Sequence, residues 1–420
     1  MQDVQSQDIT NKDAAVVPMA APKPPARQAN LELLRCVAMM MVVVLHYLGK
    51  GNLLISLENE RLYPAEVIAW LLECFCIVAV NVYMFLSGYF LCMSDFRPSR
   101  LIRLWLQVWT YSVFFGLLGA FTGIMKETAF DTHFILTLFF PVSMEHYWFM
   151  TAYLFLYVLL PFVGFAVRKM TKRQMQIAVL TMLFVFSLQK SVLPVRLEAD
   201  GQGYDCLWYL CVFVAAAYVR RFGVPFLEKK GRGIAMYVSC CLLIFGGTFA
   251  LRQVYLTTGG LGRMMKMCME YNHILPFLAA AGLFFAFRRL KISGRAAAFV
   301  CKIAPYTLGV YLLHENLGLR YTWQKWLGAD TVQVLRPYQP YFSFAGRMSV
   351  VSVPGLLFCV ILAVVCVFTA GILADMLRER LMRSLDKGLG VLKPYRKLRE
   401  QIFKLDQCFR EEAVSDEGNG

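Results

Sequence analysis

The sequence predicts an all-α, polytopic transmembrane helical bundle of about ten spans with both termini cytoplasmic. Three observations predict it. Of the 420 residues, 58% are hydrophobic and only 17% are charged, with a mean hydropathy of +0.53; a soluble chain carries about a quarter of its residues as charges. The apolar residues gather in blocks of about 17–25, the length that crosses a bilayer as helix. Basic residues collect in alternate short connections, the positive-inside pattern. The net charge of +15 is thus spread as topology charge, and no nucleic-acid partner is expected. The thirteen cysteines, such as Cys74, Cys76, Cys240, Cys241, Cys359 and Cys366, fall mostly inside apolar segments and show neither metal spacing nor a disulfide framework.

Taken in order, residues 1–29 are polar, carry prolines at 18, 22, 24 and 25, and read as a disordered cytoplasmic tail. No cleavable signal peptide is expected ahead of the first span, which carries Arg35 and lacks a small-residue cleavage site. The membrane domain, 30–375, holds spans at 31–49, 66–92, 101–124, 147–167, 174–190, 205–221, 234–256, 272–288, 303–320 and 349–373. The basic connections near Arg97–Arg103, Arg168–Arg173, Arg220–Arg232 and Arg288–Lys302 place those loops in the cytoplasm. On the opposite side, Phe134–Pro141 reads as a short interfacial or re-entrant helix, and 321–348, rich in Trp, Tyr and Pro, as an interfacial belt or lid. Residues 376–420 form a charged cytoplasmic tail, whose basic run Lys393–Arg399 is expected to meet anionic membrane lipid.

Ionisable groups inside apolar spans are costly and mark sites. Arg35 and His46 lie eleven residues apart in the first span. Eleven steps return a helix to within about 20° of the same face, after a rise of about 16 Å. One face therefore carries a fixed cation near the inner edge and a titratable base deep in the membrane. His314, in the ninth span, falls at a similar depth, and His146 opens the fourth span in Glu145-His-Tyr-Trp-Phe149. His46 and His314 are candidate catalytic bases. Glu73 in the second span is a candidate to orient a histidine or take a proton, or else a protonated or paired core group. Ser87-Gly88 suits close approach of a ligand or of another helix. Arg100 and Arg103 open the third span and, with Arg35, suit phosphate at the inner mouth, or serve as ordinary anchors. Zinc held by three histidines is the rival reading; no ligand-spacing motif supports it, and no metal is expected.

These residues resemble the acyltransferase-3 family of integral membrane O-acyltransferases. The resemblance rests on Arg35-x10-His46, on Asn81-Val-Tyr-Met-Phe-Leu-Ser-Gly-Tyr-Phe90, on Arg100-x-x-Arg103, on His146-Tyr-Trp-Phe149 and on Tyr306-Thr-Leu-Gly-Val-Tyr-Leu-Leu-His314, in that order. It is nearest the branch found in Gram-positive surface-polysaccharide acyltransferases. The resemblance implies a bacterial plasma-membrane enzyme with no permanently bound cofactor. An acyl-CoA, acetyl-CoA first, would be the donor, with its head on Arg35, Arg100 and Arg103. A hydroxyl of a cell-surface glycan or lipid-linked precursor would be the acceptor, with His146, Trp148, Asn81 and Ser87 as candidate acceptor-binding residues. His46 would act as general base or carry the acyl group covalently. No extracytoplasmic SGNH domain and no racemase domain accompanies the membrane part, so a stand-alone enzyme or a relay to a partner enzyme is expected, and a homo-oligomer is left open. The alternatives are a transporter of a small polar solute, which would show broken span pairs in related halves, and an accessory or sensor protein signalling through its tail.

Overall fold

The computed structural model describes residues 27–123, 131–192, 201–329 and 352–415. Residues 1–26 of the expected tail, 330–348 of the expected outer loop and 416–420 lie outside the described residues. Every described element is helical, with no strand among the described residues. The helices are α1 (Ala29–Lys50), α2 (Pro64–Cys76), α3 (Ala79–Leu91), α4 (Pro98–Phe121), α5 (Thr132–Phe139), α6 (Trp148–Lys169), α7 (Lys172–Leu183) and α8 (Gln189–Val192). Then come α9 (Cys206–Phe222), α10 (Arg232–Thr258), α11 (Ile274–Arg288), α12 (Gly294–Ile303), α13 (Thr307–His314), α14 (Trp323–Trp326), α15 (Val353–Leu389) and α16 (Lys393–Ser415). Among the described residues, eight helices or joined helices are long and apolar enough to cross a membrane. The α9 and α11 segments, with 17 and 15 residues, fall short of that length. The chain is a multi-pass membrane protein, and large side chains such as Phe121, Phe162, Leu180 and Ile361 face outward, where lipid covers them.

Three expected spans differ in detail. The second is interrupted at Ile77–Val78, between α2 and α3, where both residues keep right-handed helical angles. The ninth begins at Gly294 rather than 303, tightens into a 3-10 turn at Ala304–Tyr306 and stops at His314 rather than 320. Pro305 explains the tightening, because it has no N–H to give the helical ladder. The last span does not end at 373: α15 runs 37 residues, roughly 55 Å, and leaves the bilayer as helix.

The expected short segment is α5, whose first turn is capped by Asp131 accepting from the Phe134 amide at 2.7 Å. The tail folds back on the bundle. In α16, Asp406 accepts from the Ser99 amide at 2.9 Å and from its hydroxyl at 2.6 Å, and the Phe409 ring meets Phe96 edge-on at 4.8 Å.

At the centre lies α1, packed against α2, α3, α11, α12, α13 and α15. Two glycines allow close crossings around it. A β-carbon on Gly88 would sit 2.8 Å from the Phe213 Cα, and one on Gly371 would sit 2.4 Å from the Val310 Cα. The buried Asp375 of α15 accepts from Gln107 Nε2 and the Tyr111 hydroxyl, both at 3.1 Å, and from Arg378 Nε at 2.6 Å. These contacts satisfy a carboxylate that would otherwise be costly at this depth, and they tie α15 to α4.

Candidate active site

Beside α1 lies a cavity of about 200 Å³. Arg35, Met39, Val42 and His46 all line it, so one face of α1 runs along its length as the eleven-residue spacing predicts. The other walls come from α3, α4, α6, the Tyr271 segment, and the turn and helix around Pro305 and Tyr311. The wall is chiefly apolar and aromatic.

The end nearer the chain's basic loops carries two arginines. Arg35 pairs with Glu32 one turn earlier at 3.1 Å, and Tyr83 donates to the Arg35 carbonyl at 2.8 Å. Arg100 donates to the Tyr153 hydroxyl at 3.3 Å and lies 5.5 Å over the Tyr157 ring. Arg103 does not join them. It is exposed, lines no part of the cavity, and donates from Nε to the Ser99 carbonyl at 3.3 Å. The three-arginine grouping expected from the sequence is therefore a pair, because three residues of helix turn Arg103 about 60° away from Arg100.

At the far end, α13 brings His314 against His46. His46 Nδ1 lies 2.8 Å from His314 Nε2 and 3.1 Å from Glu315 Oε1. His314 Nδ1 lies 2.6 Å from the Val310 carbonyl. A carbonyl only accepts, so His314 carries its proton on Nδ1 and offers a lone pair at Nε2. His46 must then donate from Nδ1, with Glu315 supporting the same N–H. That assigns the free lone pair of neutral His46 to Nε2, which has no hydrogen-bond partner among the described residues. A base oriented through its other nitrogen is the arrangement that general-base chemistry requires.

Glu315 is itself held from several sides. The Lys50 ammonium binds its carboxylate, and Arg320 lies 4.0 Å from Oε2 while donating to the Glu315 carbonyl at 3.1 Å. Arg320 also donates to the His146 carbonyl at 2.8 Å. Gln324 donates to the His46 carbonyl at 3.3 Å. His46, His314 and Glu315 place ligand atoms within 4.8 Å of one another, a donor set that could suit a divalent ion. Here Lys50 supplies the cation opposite Glu315, and the His314 Nε2 lone pair is taken up by the His46 Nδ1 N–H.

The remaining sequence candidates separate. Ser87 and Trp148 line the cavity. His146 does not: its Nδ1 meets Ser112 Oγ at 3.2 Å, and its ring stacks 3.9 Å from Tyr147. Asn81 clamps two elements, donating to the Tyr271 carbonyl at 2.7 Å and accepting from Trp208 Nε1 at 2.9 Å. Glu73 is not brought to the histidines. Its Oε2 is buried without a hydrogen bond among the described residues, it lines no part of the cavity, and Lys266 is the charge acting on it. The break after Cys76 separates α2, which carries Glu73, from the cavity-lining α3. The carboxylate beside His46 is Glu315 instead. Sequence reasoning passed over Glu315, Lys50 and Arg320. The available signals were an acid directly after His314 and a lysine one helical turn beyond His46.

A profile of a family described as an acyltransferase domain matches residues 28–374. The chain belongs to the acyltransferase-3 family. No curated protein and no solved structure matches it. The match covers every element that lines the cavity and stops at residue 374, within α15. The protein is thus a membrane acyltransferase, and the transporter and sensor readings give way to it.

Proposed function

We propose that this acyltransferase moves an acyl group, acetyl first, from cytoplasmic acyl-CoA to a hydroxyl of a cell-surface glycan or its lipid-linked precursor, in a bacterial plasma membrane. The observation that carries the reading is one cavity with arginines at one end and an oriented histidine base at the other. Arg35 and Arg100 suit the phosphates of the CoA head. Along α1 the two ends are about 16 Å apart, a length an extended pantetheine arm can span. The thioester carbonyl would then lie beside His46.

In the proposed step, His46 Nε2 takes the proton of the acceptor hydroxyl as its oxygen bonds to the thioester carbon. The C–S bond breaks, and the proton on His46 passes to the departing thiolate. His314 and Glu315 hold the Nδ1 proton throughout, so the imidazolium formed in passing is stabilised and keeps its orientation. Purified protein in nanodiscs with acetyl-CoA tests the reading. Release of CoA thiol that rises with added glycan, alongside ester formation seen by NMR, is expected. Glycan-independent inertness toward acetyl-CoA sinks it.

A further inference from the structure

Three aromatic rings meet at the end of the cavity away from the arginines. Trp148 opens α6, Tyr204 precedes α9 and Tyr271 precedes α11, and each of these helices ends in arginine at its other end. The Tyr204 ring centre lies 4.5 Å from Trp148 and 4.7 Å from Tyr271, and Trp148 stacks near-parallel to Tyr271 at 5.9 Å. An interfacial aromatic belt would face lipid. Two of these rings do not: Trp148 and Tyr271 line the cavity that His46 lines, and Tyr271 is 7% exposed. Tyr204 alone is open, at 48%.

The segment that presents Tyr204 is held under strain. Gln202 adopts φ +58°, in the left-handed region that costs a non-glycine residue energy. Gly203 follows at φ +85°, and a β-carbon there would lie 2.6 Å from Tyr271 Cβ. Asp205 then locks the start of α9 by accepting from the Trp208 amide at 2.8 Å. Beside the rings, Gln202 donates to Glu270 at 3.1 Å, and Glu270 pairs with Lys190 at 2.9 Å. Aromatic faces next to a fixed amide and carboxylate match a ring with one C–H face and a rim of hydroxyls.

We infer that Trp148, Tyr204 and Tyr271 form the acceptor subsite, and that it takes a pyranose ring stacked on Tyr204 with one hydroxyl directed down the cavity toward His46. The inference rests on the acylation reading above and adds where, and through which residues, the acceptor is recognised. The test uses the full chain in nanodiscs with acetyl-CoA. The acceptors are the methyl β-pyranosides of glucose, galactose and N-acetylglucosamine, with glycerol as a hydroxyl donor lacking a ring. Wild type is expected to acetylate at least one pyranoside in preference to glycerol. Tyr204→Ala should raise the KM for that sugar about tenfold, with kcat, glycerol acetylation and acetyl-CoA binding unchanged. Tyr204→Phe and Tyr204→Trp should keep the wild-type KM. Equal use of sugar and glycerol by wild type, an unchanged sugar KM in Tyr204→Ala, or a parallel fall for sugar and glycerol overturns the subsite while acetyl transfer itself stands. Transfer to neither acceptor overturns the acylation reading, and the subsite with it.

Discussion

The two ends of α1 hold their charges in opposite ways. At one end Arg35 has a single acidic partner and Arg100 leans on phenols, and both side chains face open cavity. At the other end Glu315 binds Lys50, approaches Arg320 and supports His46, while His46 and His314 fix one another. Weakly committed cations can regroup around an anionic ligand at little cost. A closed set of buried charges resists rearrangement, because removing one member strands the others. One end of the helix is thus built to accept a guest, and the other to keep a geometry.

Substitutions at the two ends should separate these properties. The largest effect is expected from His46→Ala, which removes the free Nε2. Acetyl transfer should fall by about 10²–10⁴-fold with acetyl-CoA affinity retained; near-normal transfer at matched protein levels would remove His46 as the base. Next comes Glu315→Gln, which keeps the shape of the side chain but leaves Lys50 and Arg320 without their carboxylate. Breaking a buried ion pair costs about 3–5 kcal/mol, so a lowered melting temperature and a loss of turnover are expected together. A variant as stable as wild type would show that the charges around Glu315 are not closed on one another.

At the arginine end the expected effects are on binding. Arg100→Ala should weaken acetyl-CoA by about 1.5–3 kcal/mol, the worth of a hydrogen bond to a charged group. Arg103→Ala, on the exposed side of the same helix, should stay within about 0.5 kcal/mol. Calorimetry on the two variants checks the pair, and equal losses would return Arg103 to the donor site. The smallest effect on turnover is expected from Glu73→Gln, because that carboxylate lines no part of the cavity. Turnover should remain within about twofold of wild type, and a collapse in activity with stability intact would bring Glu73 into the chemistry.

What was legible in the sequence follows from what a helix fixes by itself. The face shared by Arg35 and His46 needs only the 100° step, and it survives in the cavity wall. The apolar segments needed only length and composition, and eight of the ten expected spans meet helices long and apolar enough to cross a membrane among the described residues, while α9 and α11 are shorter. The approach of His314 to His46 was legible as equal depth, though depth alone could not fix the facing. The Glu315 role was harder to see, since it depends on α13 stopping at His314 so that the next residue turns back toward α1. Glu73 misled for the same reason in reverse: depth along a span says nothing of which face a residue occupies, and Glu73 lines no part of the cavity. Arg103 failed on angle, three residues being less than a full turn.

The clasp between Asp406 and Ser99 joins residues 307 positions apart. The helix that carries Arg100 is among the first to leave the ribosome, yet its opening amide waits for an acceptor near the far end of the chain. At about 5–20 residues per second the wait is roughly 15–60 s. During that interval the remaining spans must insert beside a helix whose start has Pro98 in its first turn and the Tyr157 hydroxyl on the Arg97 backbone, but not yet the Asp406 carboxylate. Assembly of the arginine end of the cavity is therefore among the last events in the protein's biogenesis, and a nascent chain arrested before Asp406 should already contain the oriented histidine pair while its arginine end is still unclasped.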